Sequence, residues 1–167
     1  MNLTYIAMSA AIMAVCAFIS VPIGVSVTMQ TFGVLTVSAL FGARIGVISV
    51  MVYLILGAMG LPVFSGFRGG LGHLMGPGGG YLFGFILTAL IVGLLSKKKI
   101  HLWISMAAGV AACYVLGTLW YAILYGAGKS FFEIALVCAL PFIPFDIVKI
   151  ALSVFSVKRL KRTNLIK

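Results

Sequence analysis

Carboxylates are almost missing from this chain: of 167 residues only Glu133 and Asp146 carry one, and the histidines number two, His73 and His101. That scarcity excludes most side-chain catalysis. A nucleophilic site needs a Ser or Cys, a histidine base and a carboxylate to orient it. An intramembrane enzyme using Asp146 as acid or base would lack a second titrating partner. Metal binding lacks ligands as well, since His73 has no Cys, Asp, Glu or second His at ligand spacing. Cys16, Cys113 and Cys138 lie far apart in apolar stretches with no C-x-x-C motif. They read as small buried hydrophobes and do not indicate a redox compartment. A phosphate loop is also missing. The glycine run before Tyr81 lacks the required order, and Gly128-Lys129-Ser130 has Ile123 where the first glycine of the motif belongs.

Charge of either sign is rare, at 8% of residues against 63% hydrophobic, and the mean hydropathy is +1.24. This is the composition of a polytopic membrane protein. Apolar spans run from about Leu3 to Val21, Thr31 to Phe41, Ile45 to Leu61, Gly79 to Leu95, Leu102 to Leu124 and Ile134 to Val157. At about 20 residues per span, six helices use most of the chain and leave no room for a soluble catalytic domain. The expected fold is therefore all-α, a six-transmembrane-helix bundle in which residues 1–167 form one integral membrane domain. No basic residue precedes the first apolar stretch, which is long enough to span, so it reads as a helix of the bundle rather than a cleavable signal.

The net charge of +10 is distributed by side. With the N-terminus inside, the inner face carries Arg44, Lys97, Lys98, Lys99, Lys158, Arg159, Lys161, Arg162 and Lys167, while the outer face carries Arg68 and Lys129. This asymmetry is the positive-inside signature of a multi-pass plasma-membrane protein with both termini in the cytoplasm, and it explains the basic charge without nucleic acid.

Three stretches depart from plain spans. In the first helix, Ala7-x-x-x-Ala11 overlaps Ala10-x-x-x-Ala14, a spacing that lets a second helix approach closely. It serves either a partner or internal packing. Between spans one and two, Val21 to Gln30 alternates apolar and polar residues around a Pro and a Gly, so it reads as an outer, extended loop. Its Thr28 and Gln30 can hydrogen-bond a ligand or simply water. The outer segment from Gly60 to Tyr81, between helices three and four, holds nine glycines in 22 residues yet is otherwise largely apolar. It suits a lid whose backbone can approach a ligand closely, or merely a connector.

The sixth span contains the feature that most needs an explanation. Asp146 and Lys149 are three residues apart, so on a helix they share a face and can meet. At bilayer depth each costs about 2.5–3.5 kcal/mol on insertion scales, and such residues mark functional sites by default. A structural ion pair tying this helix to its neighbours is the other reading. Glu133 is read as a helix N-terminal charge.

Gly57-Ala-Met-Gly-Leu-Pro-Val-Phe64, Gly69-Gly70, Gly76-Pro-Gly-Gly-Gly-Tyr-Leu-Phe-Gly-Phe85, Thr28-Met-Gln30 and Asp146-x-x-Lys149, in this combination, resemble the BioY family. These are the biotin-specific substrate-binding subunits, or S-components, of energy-coupling factor transporters. The resemblance extends from about Thr28 to Lys149. Gly78 stands where the family usually has a threonine, so a hydroxyl is lost from the loop. The resemblance implies a six-helix bundle that captures biotin from outside and binds a transmembrane coupling protein driven by two ATPase subunits. The alanines at 7, 10, 11 and 14 match the surface used against that coupling protein, and Asp146 and Lys149 match the family's ligand-binding pair. It implies no cofactor of the chain's own, with ATP used by the partners.

Biotin's chemistry agrees with these residues. Its ureido ring has two N–H donors for Asp146 and one carbonyl for Lys149. Its apolar bicycle suits the aromatic residues of the lid. Arg68 is a candidate for the terminal carboxylate or is a solvated charge. Tyr81 and Gln30 are pocket candidates, with interfacial anchoring the alternative for Tyr81. A solitary vitamin carrier or channel working without an ATPase is the competing function.

Overall fold

The computed structural model describes residues 3–21, 27–98, 100–126, 130, 133–134, 136 and 140–163. Helix α1 (Leu3–Phe18) leads into a two-stranded antiparallel hairpin, β1 (Ser20–Val21) and β2 (Val27–Thr28), with Ser20 opposite Thr28. Then come α2 (Gln30–Phe41), α3 (Ala43–Ala58), the one-turn α4 (Leu71–Leu74), α5 (Gly79–Leu95) and α6 (Leu102–Tyr125). A 3-10 turn, Leu140–Phe142, opens onto α7 (Ile143–Arg162). Apart from the hairpin and one isolated bridge between Phe64 and Arg68, the described architecture is all-α. Lys99, Lys129, Cys138 and Lys167 lie outside the described residues.

The helix boundaries follow backbone chemistry more than apolar content. The first span was expected to reach Val21, but α1 stops at Phe18 and Ser20–Val21 joins the hairpin. The last apolar run was expected to be one helix from Ile134 to Val157. Glu133, Ile134 and Leu136 are helical, yet a 3-10 turn intervenes and the α-helix carrying Asp146 starts at Ile143. The cause is Pro141 and Pro144: without an N–H, proline fits the first turn of a helix and disrupts its interior. The segment between α3 and α5, read as loop throughout, also contains α4.

The bundle is apolar outside, and its interior mixes aliphatic and aromatic side chains with buried hydroxyls. Val15, Ile55, Val115, Ile123 and Phe155 are each more than half exposed, while Ser9, Ser38, Ser49, Thr88, Ser105, Thr118 and Ser153 are buried. In water so much exposed apolar surface would drive association, whereas in lipid it costs nothing. Interhelical polar contacts then hold the helices together. Thr88 Oγ1 donates to the carbonyls of Gly84 (3.1 Å) and Gly109 (2.9 Å), joining α5 to α6. Thr36 Oγ1 donates to Ser153 Oγ at 3.1 Å, and Ser153 Oγ lies 3.4 Å from the Phe32 carbonyl, joining α2 to α7. By length and composition, α6 and the stretch Leu140–Arg162 are long and apolar enough to cross a membrane. The other long helices, α1, α2, α3 and α5, are shorter and apolar.

Helices α5 and α6 approach each other closely. Gly80 and Gly84 on α5 face Gly117 and Cys113 on α6, and an added Cβ at Gly84 would stand 2.8 Å from the Cys113 sulfur. At the opposite end of α5, Gly93 lets the turn between α2 and α3 pass, where an added Cβ would lie 2.2 Å from the Ala43 nitrogen. There the obstacle is backbone and cannot rotate away. Gly93→Val is therefore expected to destabilise the detergent-solubilised protein by about 1–3 kcal/mol, the usual cost of overpacking. Leu94→Val, on the exposed face, should stay within about 0.5 kcal/mol. Thermal unfolding of the two variants beside the wild type measures the difference.

Candidate functional site

Helices α2, α5 and α7 all begin at one end of the bundle, and a cavity of about 260 Å³ lies there. Its walls come from four regions: Thr28, Gln30 and Thr31; Ser65, Gly72, His73 and Gly76–Gly78; Tyr81, Leu82 and Phe85; and Val110, Cys113 and Tyr114. Phe142, Asp146 and Lys149 close it from the start of α7.

The charged pair is built by helix geometry. Asp146 lies in the first turn of α7, where the helix dipole favours an anion. Lys149, three residues on, donates from Nζ to Asp146 Oδ1 at 2.7 Å. Tyr114, projecting from α6, donates its hydroxyl to Asp146 Oδ2. Both charged residues are buried. Each carboxylate oxygen retains a second lone pair and the ammonium retains two protons. The pair therefore offers acceptors and donors side by side at zero net charge.

On the facing wall, Gln30 is buried and doubly held. Its Oε1 accepts from Thr28 Oγ1 at 2.9 Å, and its Nε2 donates to the Tyr53 hydroxyl. Tyr53 in turn donates to the Val63 carbonyl at 3.0 Å. His73 stacks on Phe64 with ring centroids 5.1 Å apart. Burial, and then the neighbouring Arg68 charge, pushes the imidazole pKa below its usual value. From α6, Trp120 Nε1 donates to the Gly76 carbonyl (3.1 Å) and the Tyr125 hydroxyl to that of Met75 (2.8 Å), fastening the loop ahead of α5.

Of the residues singled out from the sequence, Asp146, Lys149, Gln30 and Tyr81 line this one cavity together with Thr28. Tyr81 is half-buried, its ring edge-on to Tyr114 at 6.4 Å. Arg68 is not among the lining residues; it is exposed on the loop, its carbonyl accepting from the Phe64 N–H. Gly78 lines the cavity, and an added Cβ there meets nothing within 4 Å. The overlapping alanine pairs separate: Ala10 is buried and Ala14 packs against the core, whereas Ala7 and Ala11 are exposed beside Met8, Ile12 and Val15.

Sequence reasoning missed Tyr114, Tyr53 and the cavity role of His73. Tyr114 precedes Asp146 by 32 residues and Tyr53 follows Gln30 by 23, so no local spacing links them. A hydroxyl recurring in otherwise apolar helices was the available signal.

The model of the BioY family matches residues 1–165 of this chain. A biotin transporter BioY of Thermotoga maritima is 40% identical, the match covering 91% of this chain and 90% of the relative. One from Rhodobacter capsulatus is 33% identical over 91% and 88% of the two chains. Among solved structures, the S-component for biotin from an ECF-type ABC transporter superposes with a TM-score of 0.86 at 32% identity, covering 96% of this chain and 90% of that one. With a family match along nearly its whole length and a shared fold, the chain belongs to the BioY family.

Proposed function

We propose that this protein is the biotin-binding S-component of an ATP-driven energy-coupling factor transporter. It is a membrane transport protein, not an enzyme, and is the uptake subunit that takes biotin from the outer side. The observation that carries the reading is the neutral, buried Asp146–Lys149 pair at the cavity, still open for further hydrogen bonds. A cyclic urea is its complement. Its two N–H groups fit the Asp146 oxygens and its carbonyl fits the Lys149 ammonium, all charge-assisted. Gln30 supplies a further polar contact, and Tyr81, Leu82, Phe85 and Phe142 take the apolar bicycle. Arg68, exposed on the covering loop, attracts the ligand's carboxylate from the mouth without forming the wall.

All six long helices, α1, α2, α3, α5, α6 and α7, are assigned as spans. α2, which has 12 residues, is shorter than the bilayer core and sits within the bundle. The cavity end is assigned to the outside. The opposite end gathers Arg44, Lys97, Lys98, Lys158, Arg159, Lys161 and Arg162, as expected of a cytoplasmic face with both termini. The open Ala7–Ala11 side of α1 is the docking face for the transmembrane coupling protein, which works with two ATPase subunits. Ala10 and Ala14, turned inward, let α1 pack closely enough to present it.

Two outcomes are expected. In calorimetric titration, the purified wild type binds biotin at unit stoichiometry. Asp146→Asn leaves Lys149 buried without its counter-charge and loses about 2–5 kcal/mol of binding, while Tyr114→Phe loses about 0.5–1.5 kcal/mol. A folded wild type that binds no biotin would sink the assignment. Cells expressing the chain with a coupling module should also concentrate labelled biotin, and energy-dependent accumulation should disappear without the module. Undiminished accumulation by the chain alone would instead identify a solitary carrier.

A further inference from the structure

Tyr53 lies outside the cavity lining, yet its hydroxyl stands between a lining residue and the covering loop. Hydrogen-bond polarity gives that position a consequence. The Val63 carbonyl can only accept, so the Tyr53 hydroxyl proton points to it. The hydroxyl can then only accept from Gln30, so the amide must turn its N–H toward Tyr53 and its oxygen toward Thr28, whose hydroxyl donates to it. The orientation of a cavity amide is thus set by a backbone carbonyl of the loop. The apolar side of the same junction is equally tight. The Tyr53 ring meets Phe64 edge-on, with centroids 5.5 Å apart and planes at 83°. Phe64 is wholly buried and occupies the space over Gly57, where an added Cβ would stand 2.0 Å from the ring. On the other side Phe64 stacks on His73, itself a cavity residue.

We propose that Tyr53 is a positioning residue that couples the cavity to its lid: its hydroxyl holds the Gln30 amide in one orientation only while the Val63–Phe64 segment is seated. A ligand that bonds to the oriented amide favours the seated loop, and a seated loop favours the amide geometry that the ligand uses. The two effects are one coupling seen from each side. The proposal rests on biotin being the ligand and adds how the site is organised and covered.

Tyr53→Phe keeps the ring and its Phe64 contact and removes only the hydroxyl. Two readouts are taken on detergent-solubilised full-length protein, biotin affinity and amide exchange across residues 61–73, with exchange in α5 and α6 reporting global stability. Tyr53→Phe is expected to weaken biotin binding by about tenfold, the effect of losing one buried hydrogen bond. It should speed exchange in the loop without biotin while α5 and α6 stay unchanged. In a double-mutant cycle, Gln30→Ala should add little to Tyr53→Phe, because the amide's contribution depends on the hydroxyl. A second variant tests the relay from the other side: Gln30→Glu, measured at a pH that ionises the new carboxylate, presents only acceptors, draws the Tyr53 proton from Val63 and should release the loop with Tyr53 intact. Wild-type affinity and wild-type loop exchange in Tyr53→Phe, or full additivity with Gln30→Ala, would overturn the proposal. If Tyr53→Phe fails to fold, unchanged loop exchange in Gln30→Glu overturns it alone. Absence of biotin binding by the wild type is a separate result that removes the functional reading, leaving the loop measurements to stand or fall on their own.

Discussion

A carboxylate inside an apolar bundle must be compensated from within the protein, because lipid cannot solvate it, and much of this fold follows from how Asp146 meets that requirement. The start of α7 places it in the first helical turn, Lys149 follows on the same face, and Tyr114 reaches across from α6. For Tyr114 to arrive, α6 must be held in register, and the close approach of Gly84 to Cys113 and the paired bonds of Thr88 do so. On the other side Ser153, hydrogen-bonded to Thr36 of α2, fixes how α7 lies. The charge is thus tied into three interhelical contacts, and removing either charged partner would leave the other without its counter-charge.

Much of this was legible in the sequence. The apolar runs gave α2, α3, α5 and α6 close to their observed limits, because these runs are bounded by Gly42, Gly60, Gly78, the Lys97–Lys98 pair and Gly126. Asp146 and Lys149 stood out as polar exceptions at a spacing that only a helix brings together. Positions set by contact across the sequence were not legible. The pairing of Tyr114 with Asp146, and of Tyr53 with Gln30, depends on which helices neighbour each other. Periodicity in a uniformly apolar helix does not reveal a buried face. The start of α7 was misplaced because hydrophobicity outweighed Pro141 and Pro144 in reading the run. Small-residue spacing was noticed in α1 but not between α5 and α6, where glycine and cysteine alternate in the role.

The BioY fold also separates two demands that a water-soluble binding protein meets with one surface. Exposed Leu, Ile, Val and Phe satisfy the solvent, and hydroxyls and glycines satisfy the neighbouring helix. Specificity is then left to a small number of polar groups at one end. Within that group, Thr28, Gln30 and Tyr53 form a continuous chain to the loop, while the Asp146 cluster belongs to the helices.

The loop before α5 is fastened by Trp120 and Tyr125, both from the last turns of α6, through the carbonyls of Gly76 and Met75. Neither bond needs to change what a bound molecule touches, since the acceptors are main-chain oxygens. Both must yield if that part of the loop is to lift. Groups placed this way raise the barrier to entry and exit alike, so they govern dwell time more than equilibrium occupancy. If the ligand passes this loop, the far end of α6 would serve as a latch whose strength could be tuned without redesigning the chamber beneath.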